Sequence, residues 1–276
     1  FGGPQGMAFI ECAIDRIARF LKKTATEIRV KNFYTENKGN ITPYHQKIDN
    51  IRLQKIYARL IKTAEYAKRK KSIDQFNKNN EFVKKGIALT PIKFGISFTT
   101  SFLNQAGALV NIYRNGSVLV NHGGTEMGQG LNTKMLQMAS AELGISAKYI
   151  KVNATNTSKV PNTSATAASS GSDLNGAAVK NAVDILKNRL IPVAFELLTN
   201  KFPDRKFSKN RITFCEDLVF DKIYPKQALP FYEVIDKAYL KQVSLSATGF
   251  YKTPDIYFDR EKGIGKPFHY FAYGMA

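Results

Sequence analysis

The stretch Val118-Leu119-Val120-Asn121-His122-Gly123-Gly124-Thr125-Glu126-Met127-Gly128-Gln129-Gly130-Leu131-Asn132-Thr133-Lys134-Met135 decides how the chain folds. An apolar run ends in a glycine-rich loop, and the loop opens directly into a helical pattern. Just upstream, Ala108 to Tyr113 and Ser117 to Val120 flank Asn115-Gly116, the dipeptide favoured in type I′ hairpin turns. Downstream, the spacing predicts a helix over 130–143, a short strand at 149–153 and a polar loop over 154–171. A long helix over 173–200 follows.

Outward from this centre the character changes. Ile10, Ala13, Ile14, Ile17, Phe20 and Leu21 recur at helical spacing, which predicts one helix over 7–30. Pro4 and Gln5 suit its first turn, and Gly2-Gly3 a tight approach to it. Ile51, Leu53, Ile56, Tyr57, Leu60, Ile61 and Ala64 predict a second helix over 50–71. The polar, basic stretch 66–85 reads as a solvated helix end and loop. Near Phe82 the pattern turns β-rich, through Gly86 to Leu89 and Phe94 to Thr99. Residues 201–226 read as irregular and basic, Ala228 to Leu240 as helix, and 243–251 and 268–275 as strands. The expected class is α+β, with a helical part over 1–82 and a mixed α/β part over 83–276.

Composition narrows the function. Forty-one Lys+Arg against 22 Asp+Glu give a formal charge of +19, while 43% hydrophobic residues exclude wholesale disorder. No apolar run reaches the roughly 20 residues of a transmembrane helix. The two cysteines, Cys12 and Cys215, are too few for a disulfide scaffold or a zinc or iron–sulfur site. Cys12 falls near the first helical face and reads as a small core residue. The charge raises the possibility of a nucleic-acid-binding module, with Lys68 to Lys71 and Lys201 to Arg211 as its basic clusters. Those clusters lack interleaved aromatics, and no nucleic-acid partner is expected. The chain begins without Met or a signal-peptide pattern and ends inside a predicted strand, so a segment of a longer protein is expected.

Two loops could hold an anion. Gly123 to Gly130 offers backbone N–H groups at a helix start, and glycines let a ligand approach. Asn162 to Asp173 also runs into a helix and supplies hydroxyls without bulk. Each would serve equally as a glycine turn with a helix cap. Neither matches the P-loop or the dinucleotide fingerprint. Glu126 reads as a loop-holding acceptor of backbone N–H groups rather than a catalytic acid. His45, His122 and His269 form no ligand spacing and read as structural or exposed.

A wider set of motifs is family-specific. It comprises Phe1-Gly2-Gly3-Pro4-Gln5, Lys93 to Thr99, Phe102-Leu103-Asn104-Gln105-Ala106-Gly107-Ala108, the 123–135 stretch, Val160 to Ser169, Gly249 to Pro254 and Phe268-His269-Tyr270-Phe271. Together, and in this order, they resemble the molybdenum-binding portion of the xanthine dehydrogenase/aldehyde oxidase family, nearly end to end. The resemblance implies a piece of a molybdopterin-binding domain from a larger subunit, with a molybdenum-molybdopterin cofactor. It also implies 2Fe-2S clusters, FAD and NAD in partner domains or subunits.

In that family an electron-poor carbon is hydroxylated with water as oxygen source, and the cofactor performs the hard step. Carried across by position, Phe1 and Phe98 resemble the face-on and edge-on aromatics that hold a flat purine, and Thr99 a neighbouring hydroxyl contact. Met127, Gly128 and Gln129 resemble the first cofactor loop. Thr166, Ala167, Ala168 and Ser169 resemble the second, with Ala167 and Ala168 facing the molybdenum. Thr166 to Ser169 and Gly95 to Thr99 favour the xanthine branch, and hence hypoxanthine and xanthine, over aldehyde or N-heterocycle oxidation.

The family's general base is a glutamate in a Gly-Glu-Pro context. Glu261 to Pro267 does not match it, so no catalytic residue is assigned within this chain. An inactive cofactor-cradle fragment therefore also stays open. The resemblance further implies a cytoplasmic homodimer, partnered by the rest of the molybdenum subunit and the iron–sulfur and FAD parts.

Overall fold

A computed structural model describes residues 2–159 and 162–276. The chain forms two compact units, Phe1–Ile96 with Phe258–Ala276, and Ser97–Tyr257. The α+β class holds, and among the described residues no helix is long and apolar enough to cross a membrane.

The first unit opens with α1 (Gly2–Phe20) and α2 (Ala25–Lys31), not one helix over 7–30. Thr24 forces the break. Its Oγ1 accepts the Glu27 N–H at 3.2 Å, and Glu27 Oε2 accepts the Thr24 N–H at 2.8 Å. This capping box starts a new helix. Gly2 and Gly3 lie within α1. Its packed side carries Glu11, which takes an ion pair from the buried Arg29, together with Ile14 and Ala18. Cys12 is one residue, or about 100°, round the helix from Glu11. It is therefore exposed rather than in the core.

The second expected helix also divides, into α3 (Leu53–Thr63) and α4 (Tyr66–Asn79). Glu65 between them takes a left-handed φ of 47°. The basic run 68–71 lies inside α4, which stays helical to Asn79 while burying none of its residues. After an irregular 81–90, where a β-rich run was expected, β1 (Pro91–Ile96) pairs antiparallel with the strand Tyr270–Met275. That pairing brings both stretches into the first unit.

The second unit is built on β2 (Gln105–Ile112), β3 (Val118–His122), β4 (Ile150–Val152) and β8 (Ser246–Lys252), in the order β4-β3-β2-β8. β2 is antiparallel to β3 and β8, whereas β3 and β4 are parallel. Alternation puts Ala106, Ala108, Val110, Ile112, Val118 and Val120 on one fully covered face. Over it lie α5 (Leu131–Leu143), buried at Leu131, Met135, Ala139 and Leu143, and the long α6 (Gly171–Lys201). α6 packs so closely on β8 that a Cβ on Gly249 would stand 2.0 Å from the Ala178 carbonyl oxygen.

The hairpin at Asn115-Gly116 forms, but not through a type I′ turn. Gly116 has φ 84° and Asn115 is not among the positive-φ residues. The type I′ pattern occurs instead at Glu216 (φ 53°) and Asp217 (φ 64°). These join β5 (Ile212–Cys215) to β6 (Leu218–Asp221) within a stretch expected to be irregular. β7 (Ala228–Pro230) completes that second sheet, so α7 (Phe231–Leu240) starts later than the expected 228.

Candidate functional site

Topology gathers the loops of interest at one edge of the four-stranded sheet. β3 and β4 are parallel, so the segments leaving His122 and Val152 emerge at the same end. β2 runs the other way, which places its beginning at that end also, and Gln105 pairs there with Lys252. The segments 97–104, 123–130, 153–159 and 162–170 therefore converge outside the carboxyl ends of parallel strands, where α/β sheets commonly bind ligands.

Hydrogen bonds join these segments to one another and to β2. Ser97 N–H donates to the Ala168 carbonyl at 3.4 Å, and Ser164 N–H to the Gln105 carbonyl at 3.2 Å. Thr125 N–H donates to Thr166 Oγ1 at 2.8 Å, tying the first expected cofactor loop to the second. Asn175, buried on α6, accepts the Gly123 N–H at 3.1 Å and donates to the Gly171 carbonyl at 2.8 Å. Thr155 Oγ1 donates to the Gly124 carbonyl at 2.6 Å. The glycines leave no slack, since a Cβ on Gly123 would meet Thr163 at 2.4 Å and one on Gly124 would meet Leu131 at 2.3 Å.

The first loop differs from expectation in its electrostatics. Several N–H groups of the loop and of the start of α5 are already taken, by Glu126. Its Oε1 accepts Gly128 N–H and Gly130 N–H, each at 2.9 Å, and its Oε2 accepts Asn132 N–H at 3.1 Å. These bonds, led by Asn132, hold the carboxyl below its ordinary range. Glu126 is thus the loop-holding acceptor that its position suggested. Gln129 also folds back, accepting Met127 N–H at 2.6 Å and donating to the Thr125 carbonyl at 2.9 Å. Met127 is exposed, and Gly128 (φ 97°) has no atom within 4 Å of its Cβ position.

The second loop carries backbone strain. Ala168 (φ 53°) and Ser169 (φ 56°) are consecutive left-handed residues, and Ser97 sits at φ 132°. Such conformations cost on the order of 1–3 kcal/mol each and persist where surrounding bonds over-determine them. Here the anchors are the Ser97 N–H bond and Ser170, whose N–H and hydroxyl both donate to the Ala167 carbonyl, at 3.2 and 3.1 Å. Ala167 and Ser169 are exposed, and Thr166 and Ala168 half-buried.

In the segment before β2, Phe98 is half-buried and Thr99 exposed. The buried Asn104 fixes Phe98, accepting its N–H at 2.8 Å and donating to its carbonyl at 2.9 Å. Phe1, Val160 and Pro161 lie outside the described residues.

The family model for the molybdopterin cofactor-binding domain matches residues 59–276. The chain belongs to that family. Among curated relatives of this molybdopterin cofactor-binding chain, xanthine dehydrogenase/oxidase of Gallus gallus is 44% identical over 276 residues, covering 100% of the chain and 18% of the relative. Xanthine dehydrogenase of Calliphora vicina is 46% identical over 262 residues, 94% of the chain and 17% of the relative. The chain thus spans under a fifth of these relatives' length. Quinoline 2-oxidoreductase from Pseudomonas putida 86 shares the fold at a TM-score of 0.74, with 22% identity over 88% of the chain and 32% of that structure.

Of the residues expected in a molybdopterin-binding site, the structure brings Thr166 against the first loop and Ala168 against the segment carrying Phe98. Met127, Gly128 and Gln129 lie at the outer turn of the first loop. Spacing gave no hint of Asn104, Thr155 or Asn175, whose side chains act across distant segments. His122 is buried, as a structural histidine can be, but it is also part of the site. Its Nδ1 accepts the Gly124 N–H at 3.1 Å, which leaves Nε2–H to donate to Asn132 Oδ1 at 3.0 Å. Burial pushes the imidazole below its ordinary pKa, so it is neutral, against the opposing pull of the Asn132 bond and Glu126.

Proposed function

We propose that the chain is the cofactor-holding part of a molybdenum hydroxylase of the xanthine branch. The complete enzyme would oxidise hypoxanthine and xanthine to urate with water as oxygen source. The observation that carries this reading is the direct bond from Thr125 in one cofactor loop to Thr166 in the other, at one sheet edge. Identity of 44% to a xanthine dehydrogenase/oxidase across the whole chain supports the xanthine branch.

The residues fit a molybdopterin group. Gly128, whose N–H is held by Glu126, leaves its Cβ side open, with no atom within 4 Å of that position, and Ala167 and Ala168 present no bulk. When bound, the group supplies the redox and oxygen-transfer chemistry. The chain's own residues would hold and orient it: Met127, Gly128 and Gln129 from the first loop, Thr166 to Ser169 from the second, with the small side chains of Ala167 and Ala168 leaving room beside the metal. Phe98 offers its ring to a flat heterocycle and Thr99 its hydroxyl, with Phe1 as the second aromatic contact. The proton-accepting glutamate belongs to the remainder of the molybdenum subunit. The 2Fe-2S clusters, FAD and NAD belong to partner domains or subunits of a cytoplasmic, dimeric enzyme.

The test is to purify the whole protein from cells that make molybdopterin. Molybdenum and pterin are assayed per chain, then turnover of hypoxanthine and xanthine with NAD is compared with that of aldehydes and N-heterocycles. Bound pterin with purine turnover is expected. Bound pterin with turnover of aldehydes alone would overturn the xanthine assignment, and absence of both metal and pterin would overturn the reading entirely.

A further inference from the structure

The first cofactor loop is held by an unbroken chain of polar contacts that begins in the sheet. His122 closes β3 and is 1% exposed. Its Nδ1 takes the Gly124 N–H, and its Nε2–H donates to the Asn132 side chain. Asn132 N–H in turn donates to Glu126 Oε2, and Glu126 Oε1 takes Gly128 and Gly130. Packing cannot do this work at the tip. Gly128 and Gly130 both have positive φ, at 97° and 74°, and neither has an atom within 4 Å of its Cβ position. Glycines so placed keep wide conformational freedom unless their N–H groups are held. Glu126, although solvent-exposed, is therefore the group that turns a floppy glycine segment into a fixed surface, and His122 sets where that surface begins.

We propose that His122, through Asn132, and Glu126 act together as positioning residues that hold Met127-Gly128-Gln129 in the shape that receives the molybdopterin. The reference to that ligand rests on the function proposed above, whereas the positioning itself does not. Partners that orient the residues around a metal group commonly change its retention by about 10–100-fold when removed.

The experiment uses the whole protein and the variants Glu126→Gln, His122→Asn and His122→Gln. A glutamine at 126 has the length of the glutamate but turns an N–H₂ toward one of the N–H groups now accepted. At 122, glutamine places a donor where Nε2–H stands, facing Asn132, whereas asparagine offers only the acceptor for Gly124. Two readouts are taken beside thermal unfolding: the rate of pterin loss from the loaded protein, and hydrogen exchange of peptides spanning 124–132.

Glu126→Gln and His122→Asn are expected to lose pterin about tenfold faster and to lose about tenfold protection at the loop amides. Their melting temperatures should stay close to the parent's, and His122→Gln should restore both readouts. The proposal is overturned if loop protection in Glu126→Gln equals that of the parent, or if all three variants lose pterin in proportion to a lowered melting temperature. If the parent itself carries no pterin, the functional reading fails. The exchange data alone then decide the positioning claim by the same criterion.

Discussion

Glu126 concentrates several consequences in one side chain. It accepts three backbone N–H groups, so its carboxyl must be ionised for the loop to hold, and those bonds lower its pKa from the ordinary 4.5. A carboxyl whose folded pKa is depressed contributes stability that is present above its unfolded pKa and lost as pH falls through the folded value. The loop should therefore stay formed through the mildly acidic range and open only below the ordinary carboxylate pKa. Backbone amide shifts of Gly128 and Gly130, followed against pH, should show their inflection below 4.5. An inflection at or above that value would mean that the carboxylate does not hold the loop. His122 has the opposite logic: its neutral form is the one that accepts from Gly124, and burial keeps it neutral.

At the scale of elements, legibility in the sequence followed the range of the forces involved. The strand–loop–helix centred on 118–143 was readable because alternation, glycines and helical spacing are local signals, and β3 and α5 lie where those signals put them. The first two helices were placed but each was read as one. Apolar spacing continues across Thr24 and Glu65, whereas the breaks depend on a capping box and a left-handed backbone. β5 and β6 were missed because a Glu216-Asp217 turn has little of the glycine or asparagine signature.

In the candidate site, the two loops were singled out by motif resemblance, and Thr125 in one is bonded to Thr166 in the other. The roles of Asn104, although it lies in a quoted motif, and of Asn175 were not legible, because a buried asparagine reveals its role only through the backbone it satisfies. The closest helix–strand contact gives a direct test. Gly249→Ala would place a methyl 2.0 Å from the Ala178 carbonyl oxygen and 2.4 Å from the Ala182 nitrogen, both rigid backbone. It should destabilise the second unit by about 1–3 kcal/mol, read from the midpoint shift in urea unfolding, whereas Gly128→Ala meets no atom and is limited to its φ penalty.

Over the whole molecule, two surface properties oppose each other. The charge of +19 keeps copies apart. Large apolar side chains nonetheless stand in solvent, with Phe20 87% and Phe82 92% exposed, and Phe9 and Phe102 also uncovered. The isolated 276-residue chain should stay dispersed at low salt and aggregate as salt rises, because the screening length falls from about 30 Å at 0.01 M to about 3 Å at 1 M. Light scattering across a salt series measures this, and a monodisperse chain at high salt would show that the apolar groups are not adhesive. Exchanging Phe20 and Phe82 for serine should slow the aggregation without altering the charge.

The pairing of β2 with β8 also sets an order of events in time. Gln105 finds Lys252, and Asn111 finds Ser246, across about half of the chain, and the Thr253 N–H reaches back to the Asn104 carbonyl beside Phe98. Contacts so distant in sequence form slowly, since a long loop must close before they bring any stabilisation. During synthesis the loops at 97–104, 123–130 and 162–171 are all made well before the strand that completes their sheet edge. A ribosome-bound chain halted before Ser246 would therefore expose all three loops without the frame that aligns them, so they take their final arrangement only once that strand has been made.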